Sequence, residues 1–294
     1  MKKAGERKKS WTLKDLNEKL NKPKAAIVGY GFVGKATEYF LKTHVENPPE
    51  ILIHDPDLAL RIEDWSGIDY AFICVPTPIK GSDRAVGRKL NTDIVDEACK
   101  KAFTRGGVSR IVIRSTIGPD QTSKYTKNMG AIIWPEFLRE RHWKEDIDNA
   151  DLPMVVGGYQ MDHFIKSVKC HKKIWAVKPE EAAMMKIARN AALAIKVDLA
   201  NEFKNICDAW DMNYNTVAAF LSLDPNLGKT HWDVPGPDGM VGFGGTCLPK
   251  DLTHTSSLCY NSDNILKVAV TANKRRRGDE PNRKIKEKHD YQSI

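Results

Sequence analysis

Residues 24–34 read Lys24-Ala25-Ala26-Ile27-Val28-Gly29-Tyr30-Gly31-Phe32-Val33-Gly34, and this stretch decides the fold. A short apolar run stops at glycine, as a strand buried in a parallel sheet does. Three glycines spaced G-x-G-x-x-G follow, and residues 32–43 then carry helical spacing. Such a triplet also arises by chance, but between a strand and a helix it has a physical meaning. The first glycine makes the tight turn, the second lets backbone approach a pyrophosphate, and the third lets helix and strand pack closely. The helix N-terminus offers free N–H groups and a positive dipole end to phosphate. Gly29, Gly31 and Gly34, with Phe32 and Val33 between the last two, are therefore candidate dinucleotide contacts.

Further apolar runs extend the pattern: EILIHD at 50–55, DYAFICV at 69–75, SRIVIRST at 109–116, GAIIWP at 130–135, PMVVGG at 153–158 and KIWAV at 173–177. Segments of helical length such as Thr92–Arg105 lie between them, which predicts an α/β fold with a Rossmann-like doubly wound parallel sheet. Asp55 closes the second run, where a carboxylate accepts hydrogen bonds from a ribose and repels a 2′-phosphate, so NAD is expected over NADP. From Pro179 the character changes to about thirty residues free of Gly and Pro, which predicts one long helix over 179–210. A loop rich in Gly and Pro follows at 224–249, and a last helical segment ends near Arg277. The expected division is a basic extension over 1–23, a nucleotide-binding domain over 24–178, a mostly helical domain over 179–277, and a polar tail over 278–294.

The net charge of +8 invites a nucleic-acid reading. Residues 1–24 hold nine Lys or Arg against three Asp or Glu, and residues 271–294 hold eight against four, which leaves −2 on residues 25–270. Basicity confined to the ends reads as solvated tails and argues against a nucleic-acid partner. No stretch is long and apolar enough for a membrane span, and the charged N-terminus has no apolar run behind it, so a cytoplasmic protein is expected. Six scattered cysteines show no CxxC pair, which argues against a zinc site and a disulfide framework.

One of them stands apart. Val241-Gly242-Phe243-Gly244-Gly245-Thr246-Cys247-Leu248-Pro249-Lys250-Asp251 joins a glycine loop to a thiol, then a cation, then a carboxylate. A thiol at neutral pH is only a few per cent thiolate, so a neighbouring cation is the ordinary route to a nucleophile. On the long helix, Lys186, Asn190 and Asn201 fall within about 60° of one another and share a face.

GYGFVG, ICVPTP, STIGP, PEFLRE, the K-x-x-x-N helix and GFGGTCLPKD stand in the order found in the UDP-glucose/GDP-mannose dehydrogenase family, and the resemblance covers residues 24–275. It implies an NAD-dependent enzyme that oxidises the C6 alcohol of a nucleotide sugar, UDP-glucose or similar, twice to a uronic acid. It implies that Cys247 attacks the aldehyde-level intermediate, that Lys186 stabilises the oxyanion with Asn190 as its hydrogen-bonding partner, and that Asp251 orients or activates water. Thr116 and Glu136 follow strands, Glu136 as candidate for water positioning or proton transfer, and Thr77, with Val75 and Pro76, lines the nicotinamide side. Glu140 and Lys250 are further cofactor candidates; Phe137, Leu138, Arg139, Glu140, Gly244 and Gly245 join Lys186 and Asn190 as substrate candidates. The family also implies a homodimer through the 179–210 helix.

Several positions depart from the pattern. Trp134 stands where the family has Asn, Arg141 where it has Gly, and Asn226 where it has an arginine that asparagine cannot replace in bidentate contacts. Family members continue into a second nucleotide-binding domain, so a short form is expected, its sugar-nucleotide site altered or completed by another chain. Two other readings compete. A two-domain β-hydroxyacid dehydrogenase performs one oxidation and needs no cysteine; a degenerate NAD-binding protein needs no catalytic set.

Overall fold

The computed structural model describes residues 22–79, 86–106, 108–170, 172–261 and 263–278. The basic extension and the polar tail read from the sequence fall almost wholly outside these residues.

The apolar runs form β1 (Lys24–Val28), β2 (Glu50–His54), β3 (Tyr70–Ile73), β4 (Arg110–Ile113), β5 (Ile132–Ile133), β6 (Met154–Gly157) and β7 (Ile174–Val177). They make one seven-stranded sheet in the order β2-β1-β3-β4-β5-β6-β7. Around it lie α1 (Phe32–Thr43), α2 (Asp93–Gly106), α3 (Thr122–Met129), α4 (Trp143–Asp148) and α5 (Met161–Val168). Alternate residues of β1 serve opposite faces. Ala26 and Val28 join Ala71, Ile73, Ile111 and Ile113 in one cluster, while Ala25 and Ile27 join Phe40, Phe72, Val112 and Phe164 in the other. Each fully buried large side chain contributes about 1.5–3 kcal/mol, which makes this double-sided burial the main support of the sheet.

The expected all-parallel sheet is corrected at one junction. β1 to β5 run parallel, β5 meets β6 antiparallel through the single pair Ile133↔Gly157, and β6 and β7 run parallel to each other. A parallel return needs a crossover helix, but the six-residue α4 packs beside α1 instead, and β6 enters from the opposite end.

The second half is helical: α6 (Pro179–Ala209), α7 (Tyr214–Leu223), α8 (Leu248–Ser257) and α9 (Ile265–Arg277). α6 has 31 residues and starts where the sequence predicts, with proline in its first turn and the Lys178 N–H donating to Glu181 Oε2 at 2.9 Å. Ala182 and Ala183 on its first turns belong to the sheet's core, while Ala191, Ala194 and Val197 pack with Phe243, Leu252 and Val270. α6 thus ties both halves together. The single last segment expected from the sequence is two helices, α8 and α9, the second capped by Asn264; α7, capped by Asn213, lies in a stretch left unassigned. Lys274–Arg277 also belong to α9 and not to a solvated tail: Arg276 pairs with Asp198 and Glu202, and Arg277 with Asp238. Among the described residues no helix is long and apolar enough to cross a membrane.

Candidate active site

The glycine triplet builds the first half of the site. Gly29 has a φ of +88°, and a Cβ there would fall 2.8 Å from the Cys74 carbonyl oxygen. A Cβ on Gly34 would fall 2.2 Å from the Gly29 oxygen, so helix and turn meet there closely. At Gly31 a Cβ would meet nothing within 4 Å, and no side chain caps the helix it opens. The outer glycines are structural and the middle one faces open space, which fits a pyrophosphate drawn onto α1. Phe32 and Val33 are half-buried beside it. Asp55 is tied to this turn: its Oδ2 accepts from the Tyr30 N–H at 2.6 Å and its Oδ1 from the Asp57 N–H at 3.1 Å. Val75, Pro76 and the buried Thr77 follow β3, and Thr116 follows β4. Ser115 knits these strand ends together by donating to the Val75 carbonyl at 2.7 Å.

The second half is a buried charge cluster. Lys186 Nζ lies 2.7 Å from Glu136 Oε1, with both side chains under 5% exposed (3% and 4%). The other Glu136 oxygen accepts from the Leu138 N–H at 2.7 Å. One turn along α6, Asn190 Nδ2 donates to Asp251 Oδ2 at 2.6 Å, and Lys250 donates to Asp251 Oδ1. The expected Lys186–Asn190 hydrogen bond is therefore corrected. A buried ammonium is stabilised by a full negative charge, and the amide serves the fully buried Asp251. Lys250, expected beside the cofactor, stands with this cluster.

Cys247 is the N-cap residue of α8, and no side chain caps the turn. The residue is half-buried, and atoms surround its thiol densely. Burial pushes the thiol above its ordinary value; Lys250 and Lys186 pull it down, and Asp251 and Glu136 push it up. The cations that the motif promised are present, yet each is matched by a carboxylate, so burial decides. Burial would likewise lower the Lys186 ammonium, but Glu136, with Asp251 and Cys247, outweighs it and keeps the lysine charged.

The remaining candidates are dispersed. Phe137 packs into one sheet cluster and Leu138 into the other. Arg139 and Glu140 are exposed, and the Arg139 guanidinium is held by Asp146 at 2.7 and 3.0 Å. Asn226 turns onto Asp224, donating from its side chain at 3.0 Å. Gly244 leaves room for Arg277 and Asp238, since a Cβ there would meet Arg277 Nη1 at 2.2 Å; Gly245 takes a φ of +80°.

The sequence reading missed what holds the glycine loop. Asn201 Oδ1 accepts from the Gly242 N–H at 2.9 Å, and Asn273 both accepts from and donates to Phe243 backbone at 2.9 Å. Arg277 donates to the carbonyls of Val241 and Gly242 at 2.8 Å. The i,i+4 spacing of Asn273 and Arg277 was a signal, hidden inside a basic run.

A family model of the UDP-glucose/GDP-mannose dehydrogenase family, central domain, matches residues 180–275. A putative UDP-glucose 6-dehydrogenase of Bacillus subtilis, YtcA, is 31% identical over 199 residues, covering 62% of this chain and 44% of that protein. A UDP-glucose 6-dehydrogenase of Rickettsia felis is 31% identical over 226 residues, covering 70% of this chain and 47% of its own length. This chain thus spans less than half the length of those two relatives. A UDP-glucose dehydrogenase structure from the archaeon Pyrobaculum islandicum superposes with a TM-score of 0.67 at 20% identity, covering 87% of this chain and 68% of that one. That likeness shows the fold.

Proposed function

The chain belongs to the UDP-glucose/GDP-mannose dehydrogenase family, and from that premise we propose that it oxidises a nucleotide-sugar C6 alcohol to the acid with NAD. The observation that carries the proposal is Cys247 at the start of α8 among two cation–carboxylate pairs, one of them wholly buried. The glycine turn and Glu136 both follow carboxyl ends of parallel strands, where such sheets bind ligands.

When bound, NAD supplies a hydride acceptor; every other role falls to the chain. Lys186 stays charged and stabilises negative charge on the substrate oxygen as its proton leaves. The Cys247 S–H adds across the aldehyde C=O, forming a C–S bond and a hydroxyl. Loss of a hydride and of that hydroxyl's proton leaves a thioester. Water, oriented by Asp251 and Asn190, cleaves it to the acid and restores the thiol. Glu136 fixes Lys186 and takes part in proton movement. An NADH-release screen over UDP-glucose, GDP-mannose, related nucleotide sugars and free sugar phosphates tests this. Two NADH per acid are expected, whereas one NADH per substrate supports the hydroxyacid dehydrogenase reading.

For the cofactor, the Asp55 carboxylate beside the Tyr30 turn repels a 2′-phosphate. Calorimetry should show NAD bound about tenfold or more tighter than NADP, and Asp55→Ala should narrow the gap. Equal affinities in the unmodified protein would overturn the ribose role.

Assembly follows from apolar surface. Trp210 is 76% exposed, Phe220 69% and Leu223 78%, and Leu199 and Ile206 on α6 are exposed as well. Such a surface marks an interface, and aromatic residues at its centre dominate association. We expect a homodimer by sedimentation at tens of micromolar and a monomer for Phe220→Glu; a monomeric wild type would refute it. With its cysteines free, the protein fits a reducing compartment, and we place it in the cytoplasm.

A further inference from the structure

His254 lies two turns past Cys247 on α8, wholly buried, and no step above uses it. Its Nδ1 accepts from the Leu90 N–H at 3.3 Å, so the ring proton sits on Nε2, 3.4 Å from Asp120 Oδ1. Nε2 has no hydrogen-bond partner among the described residues. The ring occupies the space of a missing side chain: a Cβ on Gly118 would fall 1.9 Å from Nε2. These contacts are knotted further. Gln121 accepts from the Gly118 N–H and donates to the Leu90 carbonyl, both at 2.9 Å. Leu90 bridges to Ile79, and the Asn91 N–H donates to the Pro78 carbonyl at 2.7 Å.

One imidazole thus touches the strand-end loops that carry Thr77 and Thr116, from the helix that carries Cys247, Lys250 and Asp251. We infer that His254 is a positioning residue: as a neutral ring locked into the notch at Gly118, it docks α8 on the cofactor side and fixes the distance between the Cys247 thiol and the nicotinamide site. The inference rests on the dehydrogenase reading above. A neutral ring is what the site requires, because protonating Nδ1 would set two N–H groups against each other at Leu90. Burial keeps the imidazole below its ordinary value, against the pull of Asp120 and Asp251.

The test uses the full chain and no sugar substrate. Alkylation of Cys247 by iodoacetamide, followed by peptide mass spectrometry, is measured with and without saturating NAD, and NAD affinity by calorimetry. In the wild type NAD should slow alkylation about tenfold or more. In His254→Ala that protection should fall several-fold while NAD affinity stays within about twofold, because only the thiol's placement changes. His254→Asn should restore protection, since its amide oxygen takes the place of Nδ1 under the Leu90 N–H. Gly118→Ala, which fills the notch from the other side, should mimic the alanine variant. Wild-type protection in His254→Ala would overturn the inference alone, as would a joint loss of protection and NAD affinity that asparagine does not rescue. A wild type that NAD does not protect would overturn the dehydrogenase reading, and the inference with it.

Discussion

Cys247→Ser is expected to abolish acid formation, by about a thousandfold or more, while leaving a slow release of the first NADH. The serine hydroxyl would need a base beside it. The two carboxylates near position 247 are already engaged, Glu136 with Lys186 and Asp251 with Lys250 and Asn190. The Thr246 hydroxyl, 3.7 Å from the sulfur, is no stronger a base than the serine itself. The thiol needs less help, even though burial raises it, because sulfur is intrinsically nucleophilic and the cations stabilise the thiolate as it forms. Rapid quench of the wild type should add the mass of the oxidised substrate, as its aldehyde or its acyl group, to the peptide that contains Cys247. Asp251→Asn should accumulate that adduct, since it slows the water step. A serine variant that forms acid at the wild-type rate would end the covalent assignment and move the single-oxidation reading ahead.

How much of this was legible depends on whether a signal is local. The Gly29–Gly34 turn, the strands around it and the long helix are set by spacing and composition within a few residues, and each appears within a residue or two of its expected place. Cys247 could be singled out because its glycines, cation and carboxylate are neighbours in sequence. The reversal at β6 could not, since PMVVGG reads alike in either direction and only the packing of α4 decides it. The same limit explains the misassigned partner of Lys186. A helical face brings residues 186 and 190 together, but the buried carboxylates that claim them arrive from Glu136 and Asp251, 50 and 61 positions away. His254 and Arg277 were lost for a related reason. A histidine among threonines and serines and an arginine in a basic run are ordinary surface or core residues until the opposing loop is known.

Lys186→Met is the second decisive variant, and it should damage stability and catalysis separately. The methionine leaves Glu136 buried with an unmatched charge, a loss of about 3–5 kcal/mol in comparable pairs. Arg114 lies near enough to feel that charge, but its guanidinium is turned onto the Thr37 hydroxyl and the Trp134 ring. Urea unfolding at pH 8 should accordingly show Lys186→Met less stable than wild type by about that amount. Lys186→Met/Glu136→Leu removes both charges and should recover most of the stability, because an apolar pair of similar volume can replace a buried ion pair. It should not recover NADH release, since nothing then stabilises the substrate oxygen as its proton leaves. If the double variant regains both stability and turnover, the pair is architectural and the oxyanion role of Lys186 is wrong. If Lys186→Met is as stable as wild type at pH 8, the charge at Glu136 is already matched elsewhere and the buried-pair description of the site fails.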